Sequence, residues 1–163
     1  MNFFKKHSLI FIFLGIIALV GLIYYKFSPI TPEKYFKNKY TQKEEYTLLK
    51  ETKDGNYSAY LSKYKEDIYL DIFHNNGYLG GMEVDKDNRG REEVHIFNFI
   101  QEKTLIIIFS ENTSNIREYE LKVESDKKDP KIITKKTDEN SPILDIHLLD
   151  KEYNSFPEIK TSK

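Results

Sequence analysis

Read for its apolar positions, the chain opens with one long uninterrupted run. Ser8 to Tyr25 carries no charge, and from Leu9 onward it is almost wholly Leu, Ile, Phe, Val, Ala and Gly. These 18 residues, as a helix, span about 27 Å at about 1.5 Å each. That is a little short of a hydrocarbon core of about 30 Å. Lys5, Lys6 and Lys26 bracket the run and can snorkel to close the gap, and Tyr24 and Tyr25 stand where an interfacial aromatic belt would lie. A cleaved signal peptide would have a shorter apolar region of about 7–15 residues ending at small residues. Here Ala18, Gly21 and Ser28 have no small partner two positions earlier. The pattern predicts a transmembrane anchor over residues 8–26, behind a short cytoplasmic tail of residues 1–7.

The period then changes twice. Thr31-Pro32-Glu33 has the order of a helix start: an N-cap, a proline at the first helical position, an acid beside the positive end of the dipole. A linker and short helix are expected within 27–45. From residue 46 the alternation is of period two. Tyr119, Leu121 and Val123 alternate with Glu118, Glu120 and Lys122. Ile68, Leu70 and Ile72 alternate with Tyr69, Asp71 and Phe73. Val94, Ile96 and Ile100 oppose His95, Phe97 and Phe99, and Leu144, Ile146 and Leu148 oppose Asp145 and His147. Each reads as a half-buried strand. Leu105 to Phe109 is apolar on both faces and reads as a central strand.

Short turn signals separate these runs. Asn76-Gly77 has the residue types of a type I′ hairpin and is expected to join strands 68–74 and 78–85. Asp54-Gly55 is expected to join 46–53 to 57–64. Gly80-Gly81 marks a bulge or a close backbone approach. Connections this short exclude parallel pairing, which needs a crossover of about a dozen residues or more. The fold class predicted is mainly β: an antiparallel meander over residues 46–150, forming a curved sheet or small sandwich with one short helix on a face or end. Residues 151–163 read as a flexible tail.

Composition narrows the chemistry. The chain has 163 residues, 25 Lys+Arg against 26 Asp+Glu, and no Cys. A net charge of −1 offers no clustered basic face for nucleic acid. Without cysteine there is no disulfide framework, thiolate zinc site, iron–sulfur centre or lipoprotein anchor. The immediate flanks of the apolar run put the N-terminus inside, although Lys34, Lys37, Lys39 and Lys43 follow on the other side. Long domains translocate largely regardless of charge, so the C-terminal domain is expected on the extracytoplasmic side of the cell membrane.

No sequence motif supplies a catalytic site. There is no G-x-S-x-G, P-loop or dinucleotide glycine pattern. Glu44-Glu45 and Glu92-Glu93 are adjacent, and adjacent strand residues point to opposite faces. His74, His95 and His147 fall on separate strands without metal-ligand spacing, and His7 flanks the membrane. Asp85 to Gly90 imitates the start of a calcium loop but places Arg89 where an oxygen ligand is needed. No cofactor, metal or small-molecule ligand is expected, and no enzyme activity.

The surplus is aromatic. Tyr57, Tyr60, Tyr64, Tyr69 and Tyr78 crowd the first half of the β domain, and Tyr60 and Tyr64 share a face with Ser58 and Ser62. Tyrosine offers rigid area with a polar tip, suited to contact with a protein or glycan; the alternative is that these rings rim the core. The five tyrosines are the expected partner-binding residues.

There are 22 Lys but 3 Arg, and 19 Ile but 2 Ala, the bias of AT-rich codons. With its Lys-rich start, single span and Cys-free β domain, the chain resembles small anchored extracytoplasmic proteins of unknown function from AT-rich Gram-positive bacteria. The architecture suggests a module that captures a protein partner at the envelope, of which an immunity protein against an exported toxin is one form. The alternative is an accessory subunit, structural or regulatory, of a membrane complex. Gly15 and Gly21 do not make the G-x-x-x-G spacing of a dimerising span.

Overall fold

The computed structural model describes residues 15–21, 31–40, 46–75, 77–84, 94–153 and 155–163. It divides into two compact units, Met1–Ile30 and Thr31–Lys163. In the first, residues 15–21 are helical with exposed side chains. Among the described residues no helix is long and apolar enough to cross a membrane. The rest of the run expected to span, with its flanking lysines and tyrosines, lies outside them.

The second unit starts as its sequence dictates. Helix α1 (Pro32–Tyr40) has Glu33 in its first turn and Lys37 and Lys39 in its last, matching the helix dipole. Thr31 caps it: the Lys34 amide donates to Thr31 Oγ1 at 3.4 Å and the Tyr35 amide to the Thr31 carbonyl at 2.9 Å.

Strands β1 (Tyr46–Asp54), β2 (Tyr57–Tyr64), β3 (Asp67–His74) and β4 (Gly77–Val84) form one four-stranded antiparallel sheet in sequence order. Each connection is two residues long, and a left-handed residue opens each turn: Gly55 at φ 56°, Lys65 at 55° and Asn75 at 50°. The third turn sits one residue earlier than predicted. Gly77 already pairs with His74 as a strand residue, and Asn75, which tolerates the left-handed backbone, opens the turn; Asn76 itself lies outside the described residues. The expected irregularity near Gly80-Gly81 is present. Ile72 pairs with Gly80 but Phe73 with Tyr78, leaving Leu79 as the extra residue of a bulge.

The remaining strands do not continue a meander. β5 (His95–Ile100) and β6 (Lys103–Ser110) form a hairpin, and β7 (Glu118–Val123) and β8 (Lys131–Lys136) form another. β9 (Ile143–Asp150) then returns to β6, giving the order β5-β6-β9. β10 (Glu158–Ser162) returns to β7, giving β10-β7-β8. All pairings are antiparallel. β10 replaces the frayed tail predicted beyond Asp150: Ile159 pairs with Leu121, and the Arg117 amide donates to the Ser162 carbonyl at 2.9 Å.

Three layers result, and β6 explains them. Leu105, Ile107 and Phe109 join Ala59, Leu61, Leu70 and Ile72 of the four-stranded sheet in one core. Ile106 and Ile108 join Tyr119, Leu121 and Val123 in a second core under the β10-β7-β8 sheet. The middle sheet is therefore covered on both faces, and every residue of β6 after Lys103 is buried. That is what a strand apolar on both sides requires.

Candidate functional site

The five tyrosines do not form one face. Alternation along β2 points Tyr60 and Tyr64 outward from the four-stranded sheet, with Ser58 and Ser62. Tyr57 points the other way, toward the core shared with the middle sheet, where it stacks on His74 at 4.5 Å. On the outer face Tyr60 meets Phe36 at 5.0 Å and Phe73 at 5.6 Å. Tyr78 stacks on Tyr35 at 4.5 Å and 15°. Helix α1 thus lies on the aromatic face and covers part of the surface expected to meet a partner. Tyr64 stands at the far end of β2, where Lys65 Nζ lies 5.4 Å from its ring centre.

A charged centre pins the helix to the sheet. Asp71 is 1% exposed on the outward side of β3. Its Oδ1 accepts from the Tyr35 hydroxyl at 2.8 Å and from Lys39 Nζ at 3.1 Å. Burial of the phenol, then bonding to Tyr78 and Asp71, pushes the Tyr35 pKa far above its ordinary value. Lys39 Nζ also lies 5.1 Å from the Tyr69 ring centre, and the Tyr69 hydroxyl donates to Glu83 Oε1 at 3.0 Å. Desolvation, and then this bond to Glu83, pushes the Tyr69 pKa up to about 12. Beside them a recess of about 220 Å³ opens between Lys39, Tyr69, Tyr78 and Met82. Tyr78 and Met82 are each 40% exposed on β4, and β4 is the last strand of its sheet among the described residues.

A second polar cluster lies between the middle and third sheets, built from residues far apart in sequence. The Tyr119 hydroxyl donates to Asp145 Oδ2 at 2.9 Å and lies 2.8 Å from His147 Nε2. Lys135, the β8 partner of Tyr119, bonds Asp145 Oδ1. Tyr119 is fully buried, and its desolvation, reinforced by Asp145, raises the phenol pKa. Desolvation lowers the His147 pKa against the opposing pull of Asp145. The phenol therefore meets a neutral imidazole at pH 7. An acid, an imidazole and a phenol within hydrogen-bond reach resemble the parts of a proton relay, but the ring joining them has no contact with solvent. The arrangement ties layers together.

The histidines expected on strands are kept apart. His74 stacks on Tyr57, His95 lies 5.3 Å from the Phe109 ring, and His147 faces the third sheet. Among the described residues no group of three His, Asp or Glu side chains could hold a metal ion. The calcium-like segment 85–90 and the acidic pairs 44–45 and 92–93 lie outside the described residues.

A cleft of about 870 Å³ opens at the turn end of the first two layers. Its walls come from the 55–56 turn, the ends of β2 and β3, and the 101–103 turn; Leu148 and Lys151 complete the lining. Sequence reasoning missed both this cleft and the Tyr119 cluster, since neither has a local motif. Tyr57 on the inner face, by contrast, follows from period two alone. No family model, curated protein or solved structure matches the chain.

Proposed function

We propose that the chain is a membrane-anchored binding module that captures a protein partner on the extracytoplasmic side of the envelope, an immunity-type role being one form of this. The observation that carries the reading is the β4 strip. Tyr78 is 40% exposed on the helix-bearing face beside a recess large enough for one inserted side chain, on a strand with no neighbour beyond it among the described residues. An exposed tyrosine at the mouth of a small pocket matches the composition of interface centres. The apolar run at 8–26 supplies the anchor, which would fix the effective concentration of the site near the bilayer. Catalysis is the weaker reading, because Tyr119, the residue with the most chemistry around it, is enclosed by the two sheets it joins.

Two measurements test this. Protease added to intact cells is expected to digest residues 31–163; a fully protected domain refutes the orientation. A photo-crosslinking residue placed at Tyr78 of the full chain in cells is expected to give one discrete adduct, absent when the same residue replaces Lys160 on β10. Equal labelling from both positions, or none from β4, refutes the binding face.

A further inference from the structure

The cleft between the first two layers has a lining that suits a particular ligand chemistry. Its volume of about 870 Å³ falls within the range of about 300–1,000 Å³ usual for small-ligand sites. The lining mixes apolar and polar side chains. Tyr57 and His74 stack face to face at 4.5 Å and 18°, which leaves an outer ring face of the pair for the C–H face of a sugar ring. Asn56 and Gln101 bring amides that donate to and accept from hydroxyls. Lys103 and Lys151 stand at the same cleft, and among the described residues neither has a carboxylate within ion-pair distance. Asp150, paired with Lys103 across the strands, is held instead by Lys128 at 2.9 Å. Glu102 is the one acid in the lining, so cations outnumber it.

The geometry points to a binding site for an anionic saccharide, a sugar ring carrying a carboxylate or a phosphate. The ring packs on an outer face of the Tyr57–His74 stack, the amides take its hydroxyls, and the two lysines take the acid group. This site is separate from the β4 strip and does not depend on it.

Calorimetric titration of the full chain in detergent micelles tests it, with tri-galacturonate, glucose 6-phosphate, maltotriose, AMP and inorganic phosphate as probes. At least one of the two acidic sugars is expected to bind about tenfold or more tighter than maltotriose and than inorganic phosphate. Which of them binds distinguishes a uronate source from a sugar-phosphate source. Lys103→Gln combined with Lys151→Gln is expected to weaken that binding about tenfold or more with Tm unchanged, since both side chains are exposed. Maltotriose binding equally well overturns the anionic assignment. Phosphate alone binding as tightly as the acidic sugars, or AMP binding more tightly than either of them, overturns the saccharide assignment. Binding of neither acidic sugar, or binding unaffected by the lysine changes, overturns the site.

Discussion

A Cβ added at Gly81 would lie 2.4 Å from the Leu70 carbonyl oxygen, 2.9 Å from the Tyr78 hydroxyl and 3.3 Å from Asp71 Oδ1. The first neighbour is backbone and cannot move aside without disturbing β3. Gly81→Ala is therefore expected to cost about 1–3 kcal/mol in urea unfolding and to loosen α1 from the sheet. Gly80, one residue away, has nothing within 4 Å of the same added atom. Gly80→Ala is expected to be neutral or slightly stabilising through the unfolded chain; equal losses at the two positions would show that the close approach is wrong. Asn112 offers a second single-residue test. It is 2% exposed, at φ 56°. Its Oδ1 accepts from the Ile116 amide at 2.7 Å and its Nδ2 donates to the Ser141 carbonyl at 3.1 Å, joining two loops. Asn112→Gly removes these bonds and keeps the backbone, for an expected loss of about 2–3 kcal/mol. Asn112→Ala is expected to lose about 1 kcal/mol more, the cost of a left-handed Cβ. Unfolding of both variants separates the two contributions.

At the scale of elements, legibility followed the number of apolar positions each strand displays. β2, β3, β6, β7 and β9 carry several buried residues at period two or on both faces, so the pattern is plain in the sequence. β8, with the sequence Lys131-Ile132-Ile133-Thr134-Lys135-Lys136, packs Ile133 on the second core while Ile132 is 57% exposed. β10 packs Ile159 alone. One half-buried residue has no period, and only the neighbouring strand β7 makes these segments strands. The same limit hid the Tyr119–Asp145–His147 cluster, whose members come together through the return of β9 across a hairpin. α1 was legible because its signal is local: Thr31, Pro32 and Glu33 are consecutive. Removing residues 158–163 tests the element that was missed. The truncation bares one edge of β7 and uncovers Leu121. It is expected to lower Tm and to speed hydrogen exchange at the β7 amides first. Unchanged exchange there would mean that β10 is not paired in solution.

For the whole molecule, the join between the middle and third sheets gives a pH dependence of definite sign. His147 has a pKa below its ordinary 6.5 because burial disfavours its charged form. Below pH 6.5 the unfolded chain takes up a proton that the folded chain resists, so stability falls on acidification. The urea midpoint is expected to drop between pH 7 and 5, with a smaller drop in His147→Gln. Identical curves would remove His147 from the account. The doubly covered β6 has a further consequence for how the strands find their alignment. Sliding Leu105 to Phe109 along by one position exchanges its occupants between two oily compartments and strands no charge in either. Greasiness alone cannot tell this strand which way up it belongs. The instruction has to come from β9, where Asp145 and His147 are tolerable only opposite Tyr119 and Lys135. Replacing both by leucine, together with Tyr119→Phe so that no buried hydroxyl is left without a partner, is expected to keep the melting temperature or raise it, yet to double amide resonances along β6 and β9. Two cross-peaks per residue would be the mark of a protein that had become oilier and lost its place.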